Sequence, residues 1–234
     1  MDVARGAGIM LLAGFLLSGG EHAQNLASNT ESAAELPRDV YPDSRDRLPL
    51  PKRDDMDQYG RTIFDRLIGG KRLPATVHSI RLYSPVARSL EETDHYLNFE
   101  TGLPAQLVEI AILVTAREVD CQYEWTQNEP RGRDPGNPHH IDTAIIDIIK
   151  YGKPTAGLGE KERAIINLGR EMIGDRRVSS ATFALVLGLF GRKGTVDLVE
   201  LMVNYSAAAM ELSAFDQQLK EGQDPLLPAR PKHE

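Results

Sequence analysis

One helical stretch with a single charge constrains this fold more than any other feature. Within residues 104–115, Glu109 is the only ionisable residue, and apolar side chains occupy nearly every face of the predicted helix. A helix that is apolar on all sides is usually surrounded by protein. The sequence therefore predicts a buried central helix from Pro104 to about Glu118, separated from the preceding helix by Gly102 and Pro104.

The carboxylate in this helix needs a partner or becomes protonated, because losing its hydration without compensation costs several kcal/mol. One interpretation of Glu109 is a structural salt bridge to an arginine such as Arg88 or Arg117. The other is a general acid or base whose pKa is raised by the loss of hydration. The sequence leaves both interpretations open.

Three chemically interesting side chains share one face of the next predicted helix, which begins near Asp120. Cys121, Glu124 and Asn128 stand at positions i, i+3 and i+7. Asp120 is expected to cap this helix, so Cys121 would fall in its first turn, where backbone N–H groups favour a thiolate. The neighbouring carboxylates oppose that effect. The alternative interpretation of a lone cysteine is a small buried hydrophobe.

The segment 129–140 that follows contains two glycines, three prolines and the pair His139 and His140. Its polarity predicts a loop that forms a lid or a wall of the site. Either histidine could reach the site; the alternative is that both are exposed to solvent. Adjacent loop residues rarely bind one ion without further ligands, so we predict no metal site here.

The remaining pattern predicts an all-α fold. Periodicity and capping signals predict about eight helices, at residues 54–68, 85–99, 104–118, 120–128, 141–151, 159–173, 180–190 and 196–219. The expected caps include Asp54 or Asp55, Ser179 or Ser180, and Thr195. Residues 73–83 are expected to be irregular. With no alternating strand pattern and no glycine-rich phosphate loop, the prediction is a single-domain helical bundle.

The two ends of the chain differ in composition from its centre. Residues 1–23 resemble a weak secretory signal peptide, since Arg5 precedes an apolar run that is too short to span a bilayer. Residues 24–46 are predicted as a flexible linker or arm, 47–220 as the helical domain and 221–234 as a flexible tail. A signal peptide implies a periplasmic or secreted protein. An extension read from a misplaced start codon would leave the protein cytoplasmic.

Charge and cysteine content exclude several functional classes. The 234 residues carry a net charge of −7, which gives no electrostatic basis for binding nucleic acid. The single cysteine excludes an internal disulfide, a cysteine-cluster metal site and a two-cysteine redox pair within the chain. No pattern calls for a metal or an organic cofactor, and the predicted partner is a small-molecule substrate.

A resemblance to a known family is found in segments 47–67, 83–113 and 117–130. Its most specific part is the sequence CQYEW, which follows VEIAILVTAR. Together with VSSATFALV and GTVDLVELMVNYSAAAMELSAF they cover most of residues 47–216. They resemble the carboxymuconolactone decarboxylase superfamily, which includes alkyl hydroperoxidase D-type proteins. The resemblance implies an alkyl hydroperoxidase D-like bundle, a site built on the central helix pair, and a homo-oligomer.

Two positions depart from the peroxidase-type pattern of that family, which is a Glu, then Cys-x-x-Cys, then a His four residues on. The matching positions here are Glu109, Cys121, Glu124 and Asn128. Without a resolving cysteine, disulfide-based peroxide reduction is not available within the chain. The family's decarboxylases resemble this chain in having Glu at the second position, but carry a His where Asn128 stands. Asn cannot exchange protons near neutral pH, so His139 or His140 would have to supply that function.

The leading hypothesis is a carboxymuconolactone decarboxylase-like enzyme. It would carry out acid–base decarboxylation, or related lyase chemistry, on a small carboxylated lactone or keto acid, using Glu109 and Glu124. Arg117 or Arg131 could hold a substrate carboxylate in a bidentate pair, and Tyr83 could donate a hydrogen bond to substrate. The ordinary alternatives are surface ion pairs for the arginines and a half-buried aromatic ring for Tyr83.

Two other functions remain open from sequence. A single-cysteine, peroxidase-like redox protein would form a sulfenic acid on Cys121 and depend on an external thiol. A non-catalytic, oligomeric binding protein would keep the fold while Asn128 replaces the proton-shuttling histidine.

Overall fold

The computed structural model describes residues 36–71 and 73–230, and all regular secondary structure within these ranges is helical. The predicted all-α class is therefore confirmed. The predicted signal peptide, 1–23, lies outside the described ranges, as does most of the predicted linker. Within the described ranges, no helix combines the length and the apolar composition needed to cross a bilayer.

The described part of the chain contains nine α-helices. They are α1 (Gln58–Ile68), α2 (Val77–Arg81), α3 (Pro85–Arg88), α4 (Leu90–Phe99), α5 (Ala105–Glu118), α6 (Gln122–Arg133), α7 (Thr143–Lys150), α8 (Glu160–Gly169) and α9 (Ser180–Ala214). A 3-10 turn at Arg53–Asp55 precedes α1, and a π-helical turn at Arg170–Gly174 extends α8.

Helix α5 forms the centre of the bundle, as its composition predicts. Every residue in 107–117 is buried, and the helix contacts α6, α7, α8 and α9. Its apolar side chains belong to the same core as Trp125, Ile146 and Leu198. Burying a side chain of leucine size stabilises a fold by roughly 1.5–3 kcal/mol, so a helix surrounded on all sides holds its neighbours together.

The caps of the amino-terminal helices differ from the predicted ones. Helix α1 begins at Gln58 because the Asp57 carboxylate accepts a hydrogen bond of 2.7 Å from Gly60 N. Asp54 and Asp55 lie instead in the preceding 3-10 turn. The single helix predicted at 85–99 is divided into α3 and α4.

The segment 73–83, predicted to be irregular, contains α2. Thr76 Oγ1 accepts a hydrogen bond from His78 N over 3.3 Å, and Ser79 Oγ accepts one from Thr76 N over 3.2 Å. The prediction is wrong because five residues are too few to show an apolar period. The Thr-x-x-Ser spacing of this reciprocal cap was the available signal.

Helix α6 continues to Arg133, so the loop predicted from Glu129 is wrong over its first five residues. Pro130 lies inside the helix although it lacks the N–H that would bond the carbonyl four residues earlier. The buried Glu129 carboxylate accepts a hydrogen bond of 2.9 Å from Arg133 Nε, and this contact spans the proline. The extension places Arg131 on the helix rather than in a loop.

Helix α9 includes both of the last two predicted helices and is interrupted at Gly191, where φ is 65° and ψ is −179°. The positive φ is one that glycine adopts without steric cost. The first half begins after the predicted cap Ser179. Thr195, the other predicted cap, instead donates its hydroxyl to Gly191 O over 2.7 Å. The helix ends at Ala214, earlier than predicted.

Non-helical segments from both ends of the described chain lie against the bundle. Asp46 is almost fully buried, and Arg47 N donates a hydrogen bond of 2.9 Å to Phe215 O just beyond α9. Leu227 joins the main core, and Arg117 Nη1 donates to Pro228 O over 2.7 Å. These contacts cover parts of the segments predicted as an arm and as a tail. Proline-rich composition alone does not indicate such contacts.

Candidate functional site

Two glutamates on neighbouring helices combine burial with a raised pKa. Glu109 on α5 is fully buried, and Glu124 on α6 is 8% exposed. For both side chains burial is the largest effect, and it raises the pKa of each carboxyl to about 7. Each carboxyl can therefore take up and release a proton near neutral pH.

The Glu109 carboxylate is paired with Arg131. Arg131 Nε donates a hydrogen bond to Glu109 Oε2 over 2.7 Å, and His139 Nδ1 lies 3.3 Å from the same oxygen. Within the described residues, the other oxygen, Oε1, is buried and accepts no hydrogen bond. The attraction of Arg131 lowers the pKa of Glu109, but burial outweighs it.

The salt-bridge partners suggested from sequence for Glu109 are different in the structure. Arg88 Nη1 donates to Asp57 Oδ1 over 2.8 Å, and Arg117 is bound to the Pro228 carbonyl. These two hydrogen bonds join each arginine to a residue distant in sequence, which no local pattern reveals.

Glu124 lies on a cavity of about 190 Å³ formed between α2, α4, α6 and α9. The polar side chains on its wall include His78, Asp94, Glu124, Asn128, Arg131 and Asn204. Asn204 Nδ2 donates a hydrogen bond of 2.9 Å to Asp94 Oδ1. The cavity is therefore small, combines these polar groups with apolar walls, and is built from four separate helices.

The surroundings of Glu124 contain charges of both signs. After burial, the charge of His78 lowers the pKa of Glu124 and that of Asp94 raises it. Asn128 Nδ2 donates to Glu124 Oε2 over 3.2 Å and to the Glu124 carbonyl over 2.7 Å. Asn128 thus orients the carboxyl, and its amide cannot itself exchange a proton near neutral pH.

Arg131 connects the two carboxyls. Its side chain is 31% exposed, lines the cavity that contains Glu124, and bonds Glu109 on the neighbouring helix. A guanidinium in this position offers a fixed positive charge to an anionic group in the cavity. The arrangement thus combines two proton-exchanging carboxyls with one permanent cation.

Cys121 occupies a different environment from the one expected for a reactive thiol. It is itself the N-cap residue of α6, while Asp120, the predicted cap, has a φ of 56°. Its side chain packs against an apolar cluster with Val77, Tyr123 and Ala208. Burial is the main reason that the pKa of the thiol rises to about 11, so the alternative of a small apolar side chain describes it better.

The structure distributes the other predicted binding residues over several places. The Tyr83 hydroxyl donates to Pro49 O over 2.7 Å, and its side chain is 46% exposed. His140 lies 3.1 Å from Gly132 O through Nδ1 and lines a separate cavity of about 370 Å³. His139 is beside Glu109, where burial and then the charge of Arg131 lower its pKa.

Sequence reasoning missed His78, Asp94 and Asn204 as parts of the cavity wall. They lie on α2, α4 and α9, far apart in the chain. The reciprocal cap at Thr76 could have identified α2, but no local signal places these three side chains together. Within the described ranges, no group of three or more His, Cys, Asp or Glu side chains is arranged to hold a metal ion.

Comparison with known proteins gives no match: no family model fits the chain, and no curated protein is recognisably similar to it.

Proposed function

We propose that the protein is an acid–base enzyme that decarboxylates, or otherwise acts as a lyase on, a small carboxylated lactone or keto acid in the Glu124 cavity. The observation that carries the proposal is that Glu124, whose pKa is raised to about 7, and Arg131 line the same cavity of about 190 Å³. This volume suits a compact metabolite rather than a polymer.

Decarboxylation requires a place for an electron pair and a proton for carbon. The bond between the carboxyl carbon and its neighbour breaks, CO2 leaves, and the electron pair passes into the adjacent carbonyl to form an enolate. Arg131 stabilises the negative charge on the enolate oxygen. The protonated Glu124 carboxyl then gives its proton to carbon, and one proton from solvent restores the enzyme.

Glu109 has a supporting role in this scheme. Its hydrogen bond with Arg131 Nε holds the guanidinium at the cavity, and its buried position adds a second group with a pKa near 7. Removing the Glu109 charge would change both the position and the electrostatic effect of Arg131.

The same proposal includes membership of the carboxymuconolactone decarboxylase superfamily, a homo-oligomeric state and export to the periplasm. They rest on the CQYEW segment and on the composition of residues 1–23. We do not put forward a thiol peroxidase, because a pKa of about 11 leaves little Cys121 thiolate near neutral pH.

The test is a turnover screen of the purified protein with β-keto acids, carboxylated γ-lactones and peroxides, in which CO2 release and peroxide consumption are measured. Glu124→Gln should lower kcat for CO2 release by about 100-fold or more, the usual effect of losing a proton-transfer group. Glu200→Gln, which changes an exposed glutamate on α9, is the matched control and should leave kcat unchanged. Absence of CO2 release from every compound, or full activity of Glu124→Gln, would overturn the proposal.

A further inference from the structure

A chain of charged side chains leads from the protein surface to the cavity. Arg81 Nε donates to Glu211 Oε2 over 2.8 Å, and Arg81 Nη1 lies 3.6 Å from Glu91 Oε1. Glu91 Oε2 is in turn 2.8 Å from His78 Nδ1. Four residues from α2, α4 and α9 thus form a continuous path that ends at an imidazole on the cavity wall.

The two charged side chains in the middle of this path are buried, and burying charge costs free energy. Arg81 is 1% exposed and Glu91 is 3% exposed. Within the described residues, Glu91 Oε1 and the two terminal nitrogens of Arg81 are buried without a hydrogen bond. Charges in such places destabilise a fold unless they are paired, and apolar residues of the same size are often equally stable or better. The arrangement therefore requires a reason other than stability.

The contact with Glu91 determines which nitrogen of His78 can exchange protons. An ionised carboxylate only accepts hydrogen bonds, so Nδ1 carries the proton that it shares with Glu91. Nε2 is then the nitrogen that is protonated and deprotonated. The ring is 30% exposed and lines the same cavity as Glu124, which gives it access to both solvent and the carboxyl.

The charges around His78 act in opposite directions. Burial lowers the pKa of His78, but the hydrogen bond and charge of Glu91, together with Asp94, outweigh burial and the opposing charge of Arg81, so the pKa is raised. Glu91 and Asp94 are on α4, Arg81 is on α2, and Glu124 faces His78 from α6. The charge of the His78 imidazolium in turn lowers the pKa of Glu124, so the two groups on the cavity wall are electrostatically coupled.

We propose that His78, oriented by Glu91, is the proton relay that returns a proton from solvent to Glu124 after each turnover. This inference rests on the proposed function for the identity of the reaction. In the relay step the Nε2–H bond of the imidazolium breaks and an O–H bond forms on the Glu124 carboxylate, with water in the shared cavity carrying the proton between them. Solvent then protonates Nε2 again, so one proton is consumed for each CO2 released. His78 supplies the proton transfer that the Asn128 amide cannot.

The coupling between His78 and Glu124 can be measured without any substrate. Imidazole signals of the ¹⁵N-labelled full chain are followed by NMR during a pH titration of the wild type, Glu124→Gln and Glu91→Gln. Both substitutions should lower the titration midpoint of His78 and leave that of the exposed His95 unchanged. An identical His78 midpoint in the wild type and in Glu124→Gln would overturn the relay, whether or not any substrate is found.

Turnover provides the second readout. His78→Ala should lower kcat more than KM. Added imidazole should raise kcat of this variant by about tenfold or more, because it occupies the vacated space and transfers protons there. His95→Ala is the matched control and should neither lose activity nor respond to imidazole. A folded His78→Ala variant with normal kcat, or one that imidazole does not rescue, would overturn the relay while the Glu124 result still supports the proposed function. If no compound in the screen is turned over, the proposed function fails and the NMR titration alone decides the coupling.

Discussion

Arg131 Nε donates a hydrogen bond of 2.7 Å to Glu109 Oε2 and thereby joins α6 to the most deeply buried helix of the bundle. The same guanidinium lines the cavity that contains Glu124. A contact that stabilises the helix pair is thus also part of the candidate site. Substitutions at either residue should affect stability and activity together, and their dependence on pH separates the two effects.

Replacing Arg131 with methionine should destabilise the protein in a pH-dependent manner. Without Arg131 the Glu109 carboxyl takes up a proton instead of remaining an unpaired charge, and because its pKa is about 7 in the wild type, the loss at about pH 8 is on the order of 1–2 kcal/mol. Urea unfolding at about pH 8 should show most of this loss, and at about pH 5, where Glu109 is protonated, the loss should be much smaller. Arg133→Met is a suitable control, because Arg133 on the same helix is similarly exposed and its partner Glu129 retains Lys150. An Arg131→Met loss that is equal at both pH values would contradict the ion-pair assignment.

Glu109→Gln should flatten the dependence of stability on pH. The pKa of Glu109 is raised from 4.5 to about 7 in the folded protein, so the folded state holds the proton more tightly than the unfolded state. Below about pH 4.5 the group is protonated in both states and imposes no penalty; the penalty grows as pH rises and is complete above about pH 7. It amounts to on the order of 3 kcal/mol.

The measurement is the free energy of unfolding of the wild type and Glu109→Gln at several pH values between about 4 and 8. As pH rises, the free energy of unfolding of Glu109→Gln should increase relative to that of the wild type. Glu124→Gln should likewise gain stability relative to the wild type as pH rises, because the pKa of Glu124 is also raised to about 7. Parallel curves for the wild type and Glu109→Gln would show that the carboxyl titrates normally.

Cys121 should react slowly with thiol reagents in the folded protein. Its pKa of about 11 leaves a thiolate fraction near pH 8 that is about 100-fold smaller than that of an ordinary free cysteine. Intact-mass measurements after iodoacetamide treatment should show slow alkylation when folded and fast alkylation in urea. Cys121→Ser should retain the turnover of the wild type. Rapid formation of a sulfenic acid with mild peroxide would instead favour thiol chemistry.

Gly169→Ala should destabilise the contact between α8 and α5. A Cβ at this glycine would lie 2.7 Å from Val114 Cγ1, closer than packed carbon atoms approach. Overpacking of this kind typically costs about 1–3 kcal/mol. Gly188→Ala is the matched control, because a Cβ there meets no described atom within 4 Å in an exposed stretch of α9 and should stabilise by about 0.5–1 kcal/mol. Thermal unfolding of the two variants should therefore shift in opposite directions.

Local sequence patterns accounted for the class of fold and identified three residues of the cavity wall, Glu124, Asn128 and Arg131. The continuous apolar composition around Glu109 predicted a buried α5, and the spacing of Glu124 and Asn128 placed both on one face of α6. Such inferences succeed because helical period, capping and burial depend on residues only a few positions apart. The helix end predicted at residue 190 agrees with the interruption at Gly191. The end predicted before Pro130 is wrong, because packing there outweighs the local preference of proline.

Tertiary structure alone decided the partners of the buried Glu109 and Arg81. Glu109 finds Arg131, which is 22 residues away, and Arg81 finds Glu211, which is 130 residues away. His78 becomes part of the cavity wall only because α2 packs beside α6 and α9. The sequence by itself determined that a carboxylate would be buried, since apolar neighbours surround it in the chain. Which cation it would meet depends on how separate helices pack, because side-chain charge interactions act over a few ångströms in space and not along the chain.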